Sequence, residues 1–164
     1  MRKVKLPGGE AVPVLGLGTW FIGESSSKFE SEVDAVRYAM KRGIKLIDTA
    51  EMYANGKAEK VIGAAIKGFD AIKREDLFII SKVLPSNAHF EGVIQACERS
   101  LSRLGLSSID LYLLHWRGSV PLQETLDAFK SLQSIGKIRY FGVSNFNTTD
   151  INEWRQCNGG KALV

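Results

Sequence analysis

The chain has 164 residues, 45% of them hydrophobic and 24% charged, with a net charge of +4. That mix suits one folded domain spanning 1–164 and excludes a disordered chain. Lys and Arg are scattered, so no polybasic arm points to nucleic acid, and no run approaches the roughly 20 apolar residues of a membrane span.

An opening "KVKLPGGEAVPV" reads as a short hairpin turning at Pro7-Gly8-Gly9. Five apolar runs then recur about every 30 residues, the length of one strand–helix repeat. They are "VLGLGTW" (14–20), "IKLIDTA" (44–50), "LFIISKV" (77–83), "IDLYLLHW" (109–116) and "IRYFGVSN" (138–145). Each is short and almost continuously apolar in its middle, as in strands covered on both faces.

Helical patterns fill the intervals. Val33, Val36 and Met40 share one face before Gly43; Val61, Ile62, Ala65, Ile66 and Phe69 form an apolar stripe. Ile94, Cys97, Leu101 and Leu104 precede a stop at Gly105. Leu122, Leu126, Phe129 and Leu132 precede Gly136, and Asn147 or Thr148 caps a last helix. Strands alternating with helices predict an α/β fold with a parallel sheet and right-handed crossovers.

In such folds ligands bind at the carboxyl ends of the strands. The five runs end in Thr19-Trp20, Asp48 (with Tyr53 in the loop beyond), Ser81-Lys82, His115-Trp116 and Ser144-Asn145. Each residue alone has a plain structural use: a cap, a rim charge, a packed ring. Their coincidence at matching ends of neighbouring strands points to a site. A tyrosine is a poor acid near neutrality unless a cation lies beside it. Lys82 can supply that charge, Asp48 can compensate it, and His115 can orient a carbonyl. The set would protonate a carbonyl oxygen while a cofactor attacks its carbon, because no side chain delivers a hydride. Glu51 and Glu59 flank these residues and are expected to hydrogen-bond in the loop. His89 opens a helix and is expected to face solvent.

Other chemistry finds no support. In "GLGTWFIG" Phe21 stands where a dinucleotide fingerprint needs its third glycine. Two histidines, His89 and His115, exclude an HExxH zinc site, and no GxSxG is present. Cys97 and Cys157 form no CxxC, and "MRKVKLPGGE" lacks the apolar core of a signal peptide, so a reducing cytoplasm is the expected location.

The stretches "LGLGTW", "IDTAEMYANGKAE", "IISKV", "IDLYLLHW" and "GKIRYFGVSNF" resemble the aldo-keto reductase superfamily in its order and spacing. The closest resemblance is to prokaryotic members acting on small aldehydes and methylglyoxal. The resemblance implies a (β/α)8 TIM barrel, NADPH (NADP+), and reversible reduction of a small carbonyl substrate. It implies a catalytic tetrad of Asp48, Tyr53, Lys82 and His115, with Tyr53 as general acid. Thr19, Trp20 and Asp48 would line the nicotinamide, Ser144 and Asn145 would hold its carboxamide, and Trp20 and Trp116 would wall the substrate pocket. No metal is implied. Only five strand–helix units are present, where a barrel has eight. The expected structure is therefore a partial barrel whose open edges invite self-association. Alternatives are a non-catalytic half-barrel acting as an assembly module, and a Schiff-base lyase with Lys82 as nucleophile.

Overall fold

In the computed structural model, which describes residues 2–160, two sheets form. The smaller is the hairpin of β1 (Lys3–Lys5) and β2 (Ala11–Pro13), antiparallel, with Val4 opposite Val12. The larger is a five-stranded parallel sheet of β3 (Gly16–Gly18), β4 (Leu46–Asp48), β5 (Phe78–Val83), β6 (Ile109–Leu114) and β7 (Ile138–Val143). Its spatial order equals its chain order, so each strand pairs with the next and β3 and β7 form the edges. This is the strand ladder of a partial barrel.

Five helices connect or follow the strands: α1 (Phe29–Lys41), α2 (Lys57–Ile66), α3 (Phe90–Leu104), α4 (Leu122–Ser134) and α5 (Thr148–Gln156). Local chemistry sets their ends. Gly105 takes φ 65°, closing α3 in the left-handed conformation that glycine tolerates. Asn147 caps α5 through a reciprocal pair with Asp150. The strands are shorter than the apolar runs, because the run ends curve into polar loops. Helix α2 stops at Ile66, and Phe69 packs against the core from the following turn.

The two faces of the sheet differ. Ile47, Ile79, Val83, Tyr112, Leu114 and Phe141 pack beneath the helices in the main core, which also buries Val33, Val36, Met40, Phe129 and Trp154. On the other face Leu46, Phe78, Ile80, Leu111, Leu113 and Tyr140 gather around Leu6 and Val12 of the hairpin. The hairpin thus plugs the amino-terminal end of the strands.

That end is also tied electrostatically. The buried Asp110 carboxylate accepts from Arg74 Nη2 (2.7 Å), Ile79 N (2.8 Å) and Arg139 Nη1 (2.7 Å). Arg139 also pairs with Glu10 of the hairpin turn, whose carboxylate accepts from the Tyr140 hydroxyl. A carboxylate buried with several directed donors holds parts of the chain in one geometry.

Among the described residues no helix is long and apolar enough to cross a membrane.

Candidate active site

Strand periodicity explains why polar residues meet at one mouth. Side chains two apart lie on the same face. On the hairpin face the series are Leu46–Asp48, Phe78–Ile80–Lys82, Leu111–Leu113–His115 and Tyr140–Gly142–Ser144. Each is apolar below and polar at its carboxyl end. Register aligns them: Gly18 lies opposite Asp48, Asp48 opposite Ile80, and Lys82 opposite Leu113. Gly16 and Gly18 leave the first series without side chains, and a Cβ on Gly16 would meet Leu46 Cδ2 at 2.4 Å.

The polar layer is a connected cluster. Lys82 Nζ donates to Asp48 Oδ1 (2.7 Å), to the Thr49 carbonyl (2.9 Å) and to the Tyr53 phenolic oxygen (3.2 Å). An ammonium has three hydrogens, so its donors are fully used. Because Lys82 donates to the tyrosine oxygen, the phenol's own hydrogen stays available. The His115 ring meets the Tyr53 ring edge-on at 5.7 Å and tilts against Trp116 at 4.8 Å. Its Nδ1 is buried without a hydrogen-bond partner among the described residues. The imidazole therefore offers Nε2 to the cleft. Burial, then the nearby Lys82 charge, holds its pKa below the usual 6.5, so the ring is neutral at neutral pH.

A cleft of about 350 Å3 opens here, lined by Trp20, Met52, Tyr53, Lys82, His115, Trp116, Ser144 and Asn145. The two tryptophans form its walls, with Trp20 stacked on Tyr53 at 6.3 Å. Asn145 has φ 54°, a conformation asparagine tolerates better than most residues. Its amide Nδ2 donates to the His115 carbonyl (2.9 Å) and to Ser144 Oγ (3.1 Å), which ties the ends of β6 and β7 together.

Asp48 and Thr19 stand behind this lining. Asp48 reaches the site through Lys82. Thr19 is buried, and its hydroxyl donates to the Asp48 carbonyl at 2.9 Å, fixing the end of β4. Sequence reasoning does not single out Met52, although it lies between Glu51 and Tyr53 in the same loop. Glu51 bonds within the loops as expected, accepting from Leu84 N (2.8 Å) and Asn87 Nδ2 (2.9 Å). Glu59 does not: it is a fully buried residue of α2, accepting from Ser81 Oγ (2.7 Å) and Arg103 Nη1 (2.9 Å). His89 is exposed and caps α3 through Nδ1. No group of three His, Cys, Asp or Glu side chains is arranged to hold a metal among the described residues.

Residues 14–163 match the model of the aldo/keto reductase family. The chain belongs to that family. It is 46% identical over 159 residues to methylglyoxal reductase YeaE of Escherichia coli strain K12, covering 97% of this chain and 55% of that protein. It is 40% identical to glyoxal reductase of Bacillus subtilis strain 168, over 92% of this chain and 51% of that protein. Among solved structures, an aldo-keto reductase from Klebsiella pneumoniae in complex with NADPH superposes with a TM-score of 0.92 at 44% identity, covering 99% of this chain and 56% of that one. The chain thus spans about half the length of the aldo/keto reductase relatives it matches.

Proposed function

We propose that this chain carries the proton-delivery half of an NADPH-dependent reductase that converts small aldehydes and keto-aldehydes to alcohols. The observation that carries this reading is the Asp48–Lys82–Tyr53 relay, with the His115 ring set edge-on to Tyr53 in the same cleft. The methylglyoxal and glyoxal reductases among its relatives support a small, compact carbonyl substrate.

The lining fits the nicotinamide end of the cofactor. Trp20 offers a flat wall, Ser144 a hydroxyl, and Asn145 an amide oxygen that makes no hydrogen bond within the described residues. Such groups suit a carboxamide on a planar ring. Lys82 is the one cation in this lining and is engaged by Asp48, so the cleft itself holds no free charge for phosphates. When bound, the reduced nicotinamide supplies a hydride to the carbonyl carbon.

The chain's own residues handle the oxygen. Tyr53 gives its free hydrogen to it, and the Lys82 ammonium stabilises the negative charge left on the phenol. Asp48 balances Lys82 in a half-buried setting. His115 holds the substrate oxygen through Nε2. The geometry disfavours a Schiff-base role for Lys82, because a nucleophilic amine needs a free lone pair and this nitrogen is committed to three acceptors. Among the described residues the outer edges of β3 and β7 are unpaired, which supports self-association as a second property.

Mixing the protein with NADPH and methylglyoxal or 4-nitrobenzaldehyde tests the reading through loss of reduced-nicotinamide absorbance. Turnover that falls at least about 100-fold in Tyr53→Phe is expected. Full turnover in Tyr53→Phe overturns it, as does absence of turnover both here and in a longer relative-length chain carrying these residues.

A further inference from the structure

Tyr53 sits beside a strained stretch of backbone. Ala54, Asn55 and Gly56, which follow it, have φ of 48°, 54° and 80°. Glycine adopts such angles freely; alanine does so only when its surroundings impose it. Arg103 of α3 closes off the space beside this turn. A Cβ on Gly56 would lie 2.5 Å from Arg103 Cζ, so the Arg103 guanidinium forms the floor beneath this turn.

The same guanidinium donates to Glu59 Oε2 at 2.9 Å, and Glu59 Oε1 accepts from Ser81 Oγ at 2.7 Å. Ser81 immediately precedes Lys82 on β5 and points to the opposite face. One carboxylate therefore joins the strand that carries the ammonium to the arginine that floors the tyrosine's turn. One helical turn earlier on α3, Arg99 lies 3.6 Å from Glu51, two residues before Tyr53. Helix α3 reaches both flanks of the tyrosine-bearing segment through arginines four apart.

We propose that Arg103 and Glu59 are positioning residues that set the distance between the Tyr53 phenol and the Lys82 ammonium. An apolar pair would hold α2 against α3 at least as well, since a buried ion pair is not in general a net stabiliser. What the fork and carboxylate add is direction: the plane of the guanidinium supports Gly56 while its edge orients Glu59, and Glu59 orients Ser81. The kinetic part of this inference rests on the proposed reductase activity; the geometric part does not.

The test uses the full chain with Glu59→Gln/Arg103→Met, which removes both charges and leaves neither buried alone. The expected result is a folded protein whose kcat for carbonyl reduction falls roughly 10- to 100-fold, as for a small displacement of a catalytic group. KM for NADPH stays within about twofold. The nuclear Overhauser contact between the Lys82 side chain and the Tyr53 ring, 4.9 Å from Nζ to the ring centre, weakens well below the melting temperature. A merely structural pair would lower the melting temperature and leave that contact and kcat intact in the folded protein, which overturns the proposal. Should the double variant not fold, Ser81→Ala removes only the strand side of the joint and is expected to shift the same two readouts in the same direction; native values there overturn the proposal equally. If neither the wild-type chain nor the longer chain shows turnover, the reductase reading fails while the Overhauser contact alone still decides the positioning role.

Discussion

The Lys82 ammonium donates to the Tyr53 phenolic oxygen at 3.2 Å while Asp48 holds the same nitrogen at 2.7 Å. The tyrosine oxygen is an acceptor on one side and a donor on the other, the polarity a proton donor needs. Tyr53→Phe and Lys82→Met are each expected to lower kcat about 10²- to 10⁴-fold, the usual worth of a positioned acid. Steady-state kinetics with circular dichroism as a folding control measures this.

His115 makes stability depend on pH. Its folded pKa is depressed below 6.5 by burial and the Lys82 charge, so between that lowered value and 6.5 the unfolded chain binds a proton that the folded chain refuses. Stability is therefore fully present above 6.5 and declines as pH falls through this window. Urea unfolding across the window checks the slope. His115→Phe, which cannot titrate, is expected to flatten this contribution, and an imidazole resonance titrating at or above 6.5 contradicts it.

The two thiols are expected to react unequally. Burial pushes the Cys97 thiol up to about 12, inside the core. Cys157 is only partly buried, although burial raises its pKa as well. In mildly alkaline buffer a disulfide reagent is expected to label Cys157 slowly and Cys97 only on unfolding. Mass spectrometry of native and urea-treated protein reads this directly.

Asp110→Ala is expected to destabilise the chain by about 1–3 kcal/mol, the usual cost of leaving a buried donor unpartnered. It leaves the Ile79 amide without its acceptor, while Arg74 keeps the Leu77 and Ser108 carbonyls and Arg139 keeps Glu10. Chemical unfolding measures the loss.

The sheet was legible because its strands are covered on both faces and so read as apolar runs. The clustering of Asp48, Lys82 and His115, with Tyr53 in the loop beyond, was legible because runs of known direction place their last residues at one end. Glu59 was not. It sits seven residues beyond the loop's opening turn on a helix, and its partners Ser81 and Arg103 are 22 and 44 positions away in sequence, so no local pattern marks it. Ala54 was equally opaque: alanine favours right-handed helix, yet here it takes φ 48° in the turn that Arg103 floors at Gly56. Thr19 was placed correctly at a strand end, yet its hydroxyl turns to the Asp48 carbonyl and away from the cleft lining.

Asp110 fastens the amino-terminal end of the sheet, and the Lys82 cluster with its cleft occupies the other end. Anchorage and chemistry draw on separate sets of residues. A combinatorial library randomised at Trp20, Met52 and Trp116, all partly exposed at the mouth, can therefore reshape the cleft while the Asp110 anchorage is left untouched.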